Sequence, residues 1–109
     1  MIPPPTAPPP STLAPPTPLG SFTIPPDHPA LPGHFPGNPI VPGVVLLDHV
    51  AGLVLAARPG RRLAGFPTIR FARPVRPGDP VAVELQGDAF TARVGATPVL
   101  RGTIALANP

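Results

Sequence analysis

The chain has 109 residues, no cysteine, eight basic and five acidic side chains, three histidines and a formal net charge of +3. The missing cysteines exclude disulfides and thiolate metal sites, and the histidines show no metal-type spacing. The arginines are scattered without an aromatic platform, so we expect no nucleic-acid ligand, and an acidic protein is the better candidate partner.

The N-terminal segment is rich in proline. Nine of the 23 prolines fall within residues 1–19, which carry no charged side chain. Such a segment buries too little apolar surface to offset its ordering entropy, so we predict a disordered tail over residues 1–20. It lacks the basic and continuous apolar regions of a secretory signal. Residues 21–109 are then expected to form one small domain.

A stiff loop around one histidine precedes the apolar centre of the chain. Residues 22–24 (FTI) predict a short strand, and residues 25–43 predict a loop because proline and glycine dominate them. Pro36 and Pro39 each disfavour a helical conformation of the preceding residue. His34 therefore sits on a backbone with few alternatives, which suits a general base, although a lone loop histidine can equally be an ordinary surface residue.

Residues 44–57 (VVLLDHVAGLVLAA) predict a helix that is buried on nearly all sides. The segment is too short to span a membrane. Pro42-Gly43 is expected to open the helix and Pro59-Gly60 to end it. Asp48 is anomalous there, because an unpaired carboxylate is costly among apolar side chains. It faces either solvent or a cleft, or it is a first-turn residue favoured by the helix dipole.

The start of this helix offers a second chemical feature. The N–H groups of Gly43 and Val44 are expected to lack intrahelical acceptors and lie at the positive end of the helix dipole. Donors of this kind can hold a carbonyl oxygen that is becoming an enolate.

The remainder of the chain alternates between apolar and polar residues. Ile69 and Phe71 share one face of GFPTIRFAR, and the pattern continues through residues 81–86, 90–94 and 100–106. Gly87-Asp88 predicts a hairpin turn, and RPGD at residues 76–79 predicts another turn. One helix followed by about four antiparallel strands indicates a two-layer α+β fold.

The stretch GHFPGNPIVPGVVLLD, residues 33–48, resembles the signature of the β-hydroxyacyl-acyl carrier protein dehydratases. It is most similar to the ApeI-like dehydratases of aryl polyene clusters. IRFARPVRPGD, residues 69–79, resembles the next strand and turn of that family. The resemblance covers about residues 21–107. It implies a hotdog fold, in which an antiparallel sheet wraps a long central helix, and a homodimer.

The resemblance also implies the site and its reaction. His34 and Asp48 correspond to the catalytic pair, and the N–H groups of Gly43 and Val44 would bind the substrate carbonyl. The reaction is elimination of water from a 3-hydroxyacyl thioester, in fatty acid, aryl polyene or polyketide-type synthesis. Phosphopantetheine carries the substrate, so no metal or further cofactor is expected. Many fatty-acid members have glutamine four residues after the acid, where this chain has Gly52.

The implied partner is an acyl carrier protein, and the implied location is the cytoplasm. Arg58, Arg61 and Arg62 follow the helix and are candidate docking residues, with a solvated basic loop as the alternative. Two other functions stay open: a hotdog acyl thioesterase, and a non-catalytic hotdog subunit that binds acyl carriers.

Overall fold

The computed structural model describes residues 15–28 and 40–108. The predicted tail before residue 15 and the loop that carries His34 lie outside the described residues. In chain order the elements are β1 (Thr17–Phe22), α1 (Gly43–Ala57), β2 (Arg62–Phe71), β3 (Val81–Gln86), β4 (Ala89–Val94) and β5 (Thr97–Ala107).

The five strands form one antiparallel sheet in the order β1-β3-β4-β5-β2, so β1 and β2 are its edges. Alternate residues of β3, namely Val81, Val83 and Leu85, are buried, as the period-2 pattern predicts. They share one core with a side of α1 that includes Val50 and Val54. The predicted two-layer α+β arrangement is confirmed.

Local signals in the sequence place the helix and the turns. Helix α1 begins at Gly43, one residue before the predicted start, and ends at Ala57 as predicted. In the 76–79 turn, the Arg76 N–H donates to the Asp79 carboxylate at 3.0 Å, and the Asp79 N–H donates to the Arg76 carbonyl at 3.1 Å. Gly87 has a φ of 64° in the β3–β4 hairpin, a conformation that glycine adopts without a Cβ clash.

The first strand differs from the prediction. It covers Thr17–Phe22 rather than residues 22–24, and it starts on the tail side of the boundary expected at residue 20. Pro18 is tolerated because β1 is an edge strand, and the pairing with β3 shifts register between Pro18 and Gly20. Ile24 lies outside the strand but is buried in the core.

We expect truncations of the N-terminus to distinguish the segment before residue 15 from strand β1. Removal of residues 1–14 should leave the melting temperature unchanged, because that segment has the composition of a tail. Removal of residues 1–20 deletes most of β1, including Leu19, which packs against the core. The second truncation should lower the melting temperature by roughly 5–15 °C, as loss of about 1–2 kcal/mol predicts for a domain of this size. Equal melting curves for both truncations would show that β1 contributes nothing.

Candidate active site

The start of α1 presents free hydrogen-bond donors. Pro42 caps the helix with an extended backbone, and its carbonyl accepts from the N–H groups of Val45 at 3.0 Å and Leu46 at 3.4 Å. Within residues 15–28 and 40–108, the N–H groups of Gly43 and Val44 have no acceptor. No acidic side chain lies in the first turn. The positive end of this helix can therefore receive a developing negative charge.

An aromatic ring from β2 lies against Gly43. A Cβ at Gly43 would approach Phe71 Cζ to 2.5 Å, so even alanine would displace the ring. Gly43 and Phe71 line a cleft of about 350 Å³ together with Arg73, which we call the helix-start cleft. The Val41 N–H donates to the Val75 carbonyl at 2.8 Å and ties the approach to the helix to the far side of this cleft. Glycine thus lets β2 pass close to the N–H donors.

Asp48 lies in a second, largely apolar cleft of about 490 Å³, which we call the Asp48 cleft. Its other lining residues are Phe22, His49, Ala51, Gly52, Leu53, Leu55 and Leu63. Asp48 is exposed, and within the described part of the chain it has no hydrogen-bond or ion-pair partner. It is the sixth residue of α1, so the interpretation of Asp48 as a first-turn dipole residue is wrong. The carboxylate of Asp48 is therefore accessible to a molecule bound in this cleft.

The two clefts lie on different sides of α1. Gly43 and Asp48 are five residues apart, which separates their directions around the helix by about 140°. They share no lining residue: the helix-start cleft contains Gly43 and Leu46, and the Asp48 cleft begins at Asp48. Among the described residues, Gly43 and Asp48 therefore line separate clefts.

Sequence reasoning missed two aromatic contacts near these clefts. The ring of His49 stacks on Phe22 with centroids 4.6 Å apart and planes 14° apart, and both rings line the Asp48 cleft. The other contact is that of Phe71 with Gly43. Alternation predicts that Phe71 and Ile69 share a face of β2, but no local pattern shows which residue of the helix Phe71 meets.

The three candidate docking arginines follow α1 as predicted. Arg61 Nε donates to the Ala107 carbonyl at 3.3 Å, and Arg62 Nε donates to the Asn108 carbonyl at 3.1 Å. These bonds tie the end of β5 to the start of β2. Arg58 has no acidic partner among the residues described. Of the three, Arg58 has the guanidinium most available to an acidic partner.

Two further properties bear on function. Within residues 15–28 and 40–108, no three His, Asp or Glu side chains are grouped so that they could hold a metal ion. Across the same residues, no helix is long and apolar enough to cross a membrane.

The chain is similar to proteins that are named as dehydratases. The family model described as ApeI-like, ApeI dehydratase, matches residues 16–96. The 3-hydroxyacyl-[acyl-carrier-protein] dehydratase FabZ of Thermomicrobium roseum is 41% identical over 68 residues, 55% of this chain and 46% of that protein. The FabZ of Chloroflexus aggregans is 38% identical over 85 residues, 71% of this chain and 59% of that protein. The chain thus spans only about half of the length of these curated relatives.

Solved structures agree on the fold. The dehydratase heterocomplex ApeI:P from Xenorhabdus doucetiae superposes with a TM-score of 0.70 at 23% identity, over 81% of this chain and 84% of that one. An uncharacterized protein from Erwinia carotovora gives 0.61 at 21% identity, over 87% and 98%. The hotdog fold and the family resemblance expected from the sequence are both confirmed. The chain belongs to the ApeI-like dehydratase family of hotdog proteins, which is related to the FabZ-type hydroxyacyl-acyl carrier protein dehydratases.

Proposed function

We propose that this protein is a 3-hydroxyacyl-[acyl carrier protein] dehydratase that converts a 3-hydroxyacyl thioester to a 2-enoyl thioester and water. The observation that carries the proposal is the pairing of two features on one helix. Gly43 and Val44 have free N–H donors, and Asp48 has an unpartnered carboxylate in an apolar cleft. Membership of the dehydratase family gives these features a common reaction.

In the proposed reaction, neutral His34 removes a proton from C2 of the substrate. The electrons move towards the thioester oxygen, and the N–H groups of Gly43 and Val44 stabilise the enolate that forms. The C2–C3 double bond then forms while the C3–O bond breaks. Asp48 supplies a proton, directly or through a water molecule, so the hydroxyl leaves as water. His34 ends protonated and Asp48 deprotonated, and transfer of a proton from one to the other completes the cycle.

We also propose that two chains build each site. Gly43 and Asp48 diverge by about 140° around one helix and line separate clefts. A two-fold pair would place the helix start and His34 of one chain beside Asp48 of the other. Such a pair contains two equivalent sites. A hydroxyacyl group would then have its carbonyl on one chain and its hydroxyl on the other.

The edge strand β2 is the proposed contact between the two chains. It has ten residues and neighbours only β5. Leu63, Ile69 and Phe71 are among the large apolar side chains that remain exposed, with Phe71 50% exposed. A long apolar edge invites pairing with another strand. A homodimer would cover Ile69 and Phe71, and Phe71 touches Gly43, whereas Leu63 lines the Asp48 cleft.

One direct assay separates the proposed function from its rivals. The purified protein is incubated with a 3-hydroxyacyl pantetheine thioester while enoyl-thioester absorbance and free thiol are followed. Enoyl product without thiol is the expected result, and thiol release without enoyl product would indicate a thioesterase. Binding without either product would indicate a non-catalytic subunit. The ApeI:P neighbour is named as a heterocomplex. The native mass of the purified protein should therefore also be measured, to show whether this chain pairs with itself.

We propose that an acyl carrier protein delivers the substrate in the cytoplasm. We propose that this carrier protein docks at Arg58. Arg58→Glu should raise KM for a carrier-bound substrate about tenfold, because it reverses a charge facing an acidic partner. The KM for the same acyl group on free pantetheine should not change. Arg101→Glu serves as the charge-matched control, because Arg101 is exposed on the interior strand β5 and lines neither cleft. An equal rise in KM for both substrates of Arg58→Glu would contradict docking at this position.

A further inference from the structure

Gly52 is placed where glycine is unfavourable. It lies in the interior of α1, where glycine costs about 1 kcal/mol relative to alanine. Its backbone φ is not positive, and among the described residues nothing lies within 4 Å of the position of a Cβ. Gly43 and Gly102, in contrast, have neighbours that a Cβ would meet. Packing within the described part of this chain therefore does not account for Gly52.

The space beside Gly52 belongs to the Asp48 cleft. Gly52 follows Asp48 by one helical turn, on the same side and about 6 Å further along the axis. The cleft continues past Gly52 to Leu55 and to Leu63 on β2, whereas Val44, one turn before Asp48, does not line it. A molecule whose hydroxyl meets Asp48 can therefore extend along this cleft past Gly52.

We propose that Gly52 is a specificity-determining residue that leaves room for an acyl chain branched near C5. This inference rests on the proposed dehydratase function, in which Asp48 lies beside the C3 hydroxyl. One helical turn matches the length of the next four or five carbon atoms, so the missing side chain opposes C4 to C7. A straight chain does not need this room, but a branch can occupy it.

In the proposed two-chain site the partner approaches Asp48 with its helix start and His34, and the acyl chain is the proposed occupant of the space beside Gly52. Asp48 lies in the wall of the same cleft without a partner among the residues that the structure describes. Packing apolar protein over this carboxylate would bury it without compensation. A 3-hydroxyacyl group brings a hydroxyl for Asp48 and an apolar tail for Leu55 and Leu63, and so matches the lining of the cleft.

The test compares two isomeric thioesters, 3-hydroxyoctanoyl and 3-hydroxy-5,5-dimethylhexanoyl pantetheine. The wild type should use both, with kcat/KM values within about tenfold of each other. Gly52→Leu should lower the branched-to-straight ratio of kcat/KM by at least about tenfold, with Gly52→Ala intermediate. Because alanine favours a helix, Gly52→Ala should also raise the melting temperature, which keeps the test valid if leucine impairs folding. Ala56→Leu places a leucine one turn further on, at a residue that does not line the cleft, and should leave the ratio unchanged.

The outcomes distinguish this inference from the proposed function. If the wild type turns over neither isomer, the dehydratase proposal fails and the role of Gly52 fails with it. If the straight isomer is dehydrated but the wild type rejects the branched one, only the inference about Gly52 is overturned. The inference about Gly52 is also overturned if Gly52→Leu and Gly52→Ala leave the branched-to-straight ratio of kcat/KM unchanged.

Discussion

Replacing His34 with alanine is expected to lower kcat/KM for dehydration at least about 100-fold, the usual contribution of a general base. His34 is the histidine of the GHFPG stretch, which carries the family resemblance. In the proposed reaction Gly43 and Val44 offer only N–H donors and Asp48 supplies a proton, so His34 is the group that accepts the C2 proton. Thermal unfolding should be unchanged, since the loss is chemical.

His28→Ala is the matched control for this variant. His28 is also close to prolines, and its N–H donates to the Pro25 carbonyl at 3.1 Å, but it lines neither cleft. It should keep most of the wild-type activity. If His34→Ala kept more than about a tenth of the wild-type kcat/KM, His34 could not be the general base.

Gly102→Val is expected to have the largest effect on stability. A Cβ at Gly102 would collide with the carbonyl oxygen of Thr68, and would lie 3.1 Å from the Thr68 carbonyl carbon and 3.2 Å from Ile69 Cα. These are backbone atoms of β2, so no side-chain rotation relieves the collision. β2 would have to separate from β5, and we expect a loss of more than about 3 kcal/mol out of the total of roughly 5–15 typical of a domain.

Ala105→Val is the control on the same strand. Ala105 pairs with Gly65, beside which no described atom lies within 4 Å of a Cβ position. This variant should unfold within about 1 kcal/mol of the wild type in urea. Gly102→Val should also lose its dimer, because β2 carries the proposed contact. If Gly102→Val unfolded at the same urea concentration as the wild type, β2 would be able to move away from residue 102 at little cost.

Elements with strong local signals were predictable from the sequence. Helix α1 differs from its predicted bounds by one residue, because Pro42-Gly43 and Pro59-Gly60 mark its ends. The turn at residues 76–79 is stabilised by Asp79, as its sequence indicates. β1 was misplaced because Pro18 argues against a strand, and only the sheet order reveals that this strand lies at an edge where proline is tolerated.

The candidate site was predictable only in part. Helical spacing separates the directions of Gly43 and Asp48 around α1 by about 140°, and the shared site that we propose stays a prediction. The contact between Phe71 and Gly43 depends on how far the sheet curves around the helix, which no short pattern encodes. The open space at Gly52 likewise depends on which residues of β1 and β2 reach the helix. The placement of His34 relative to Asp48 stays a prediction.

The central claim is that two chains share each site. A first test of this claim uses a chain that carries both inactivating substitutions. A chain carrying both His34→Ala and Asp48→Ala is mixed with an equal amount of wild type. If each site uses His34 of one chain and Asp48 of the other, mixed dimers have a lesion in both sites, so only wild-type dimers are active. About a quarter of the activity of an all-wild-type sample should then remain. Sites built within one chain would leave about half.

The most direct measurement mixes the two single variants, His34→Ala and Asp48→Ala, each inactive alone. After subunit exchange, verified by native mass spectrometry with one tagged chain, about half of the dimers contain one of each. Every mixed dimer has one site without a lesion, so dehydration should return to about a quarter of the wild-type rate. Recovery of that size is the predicted result, and an inactive mixture with exchange verified would contradict the shared site.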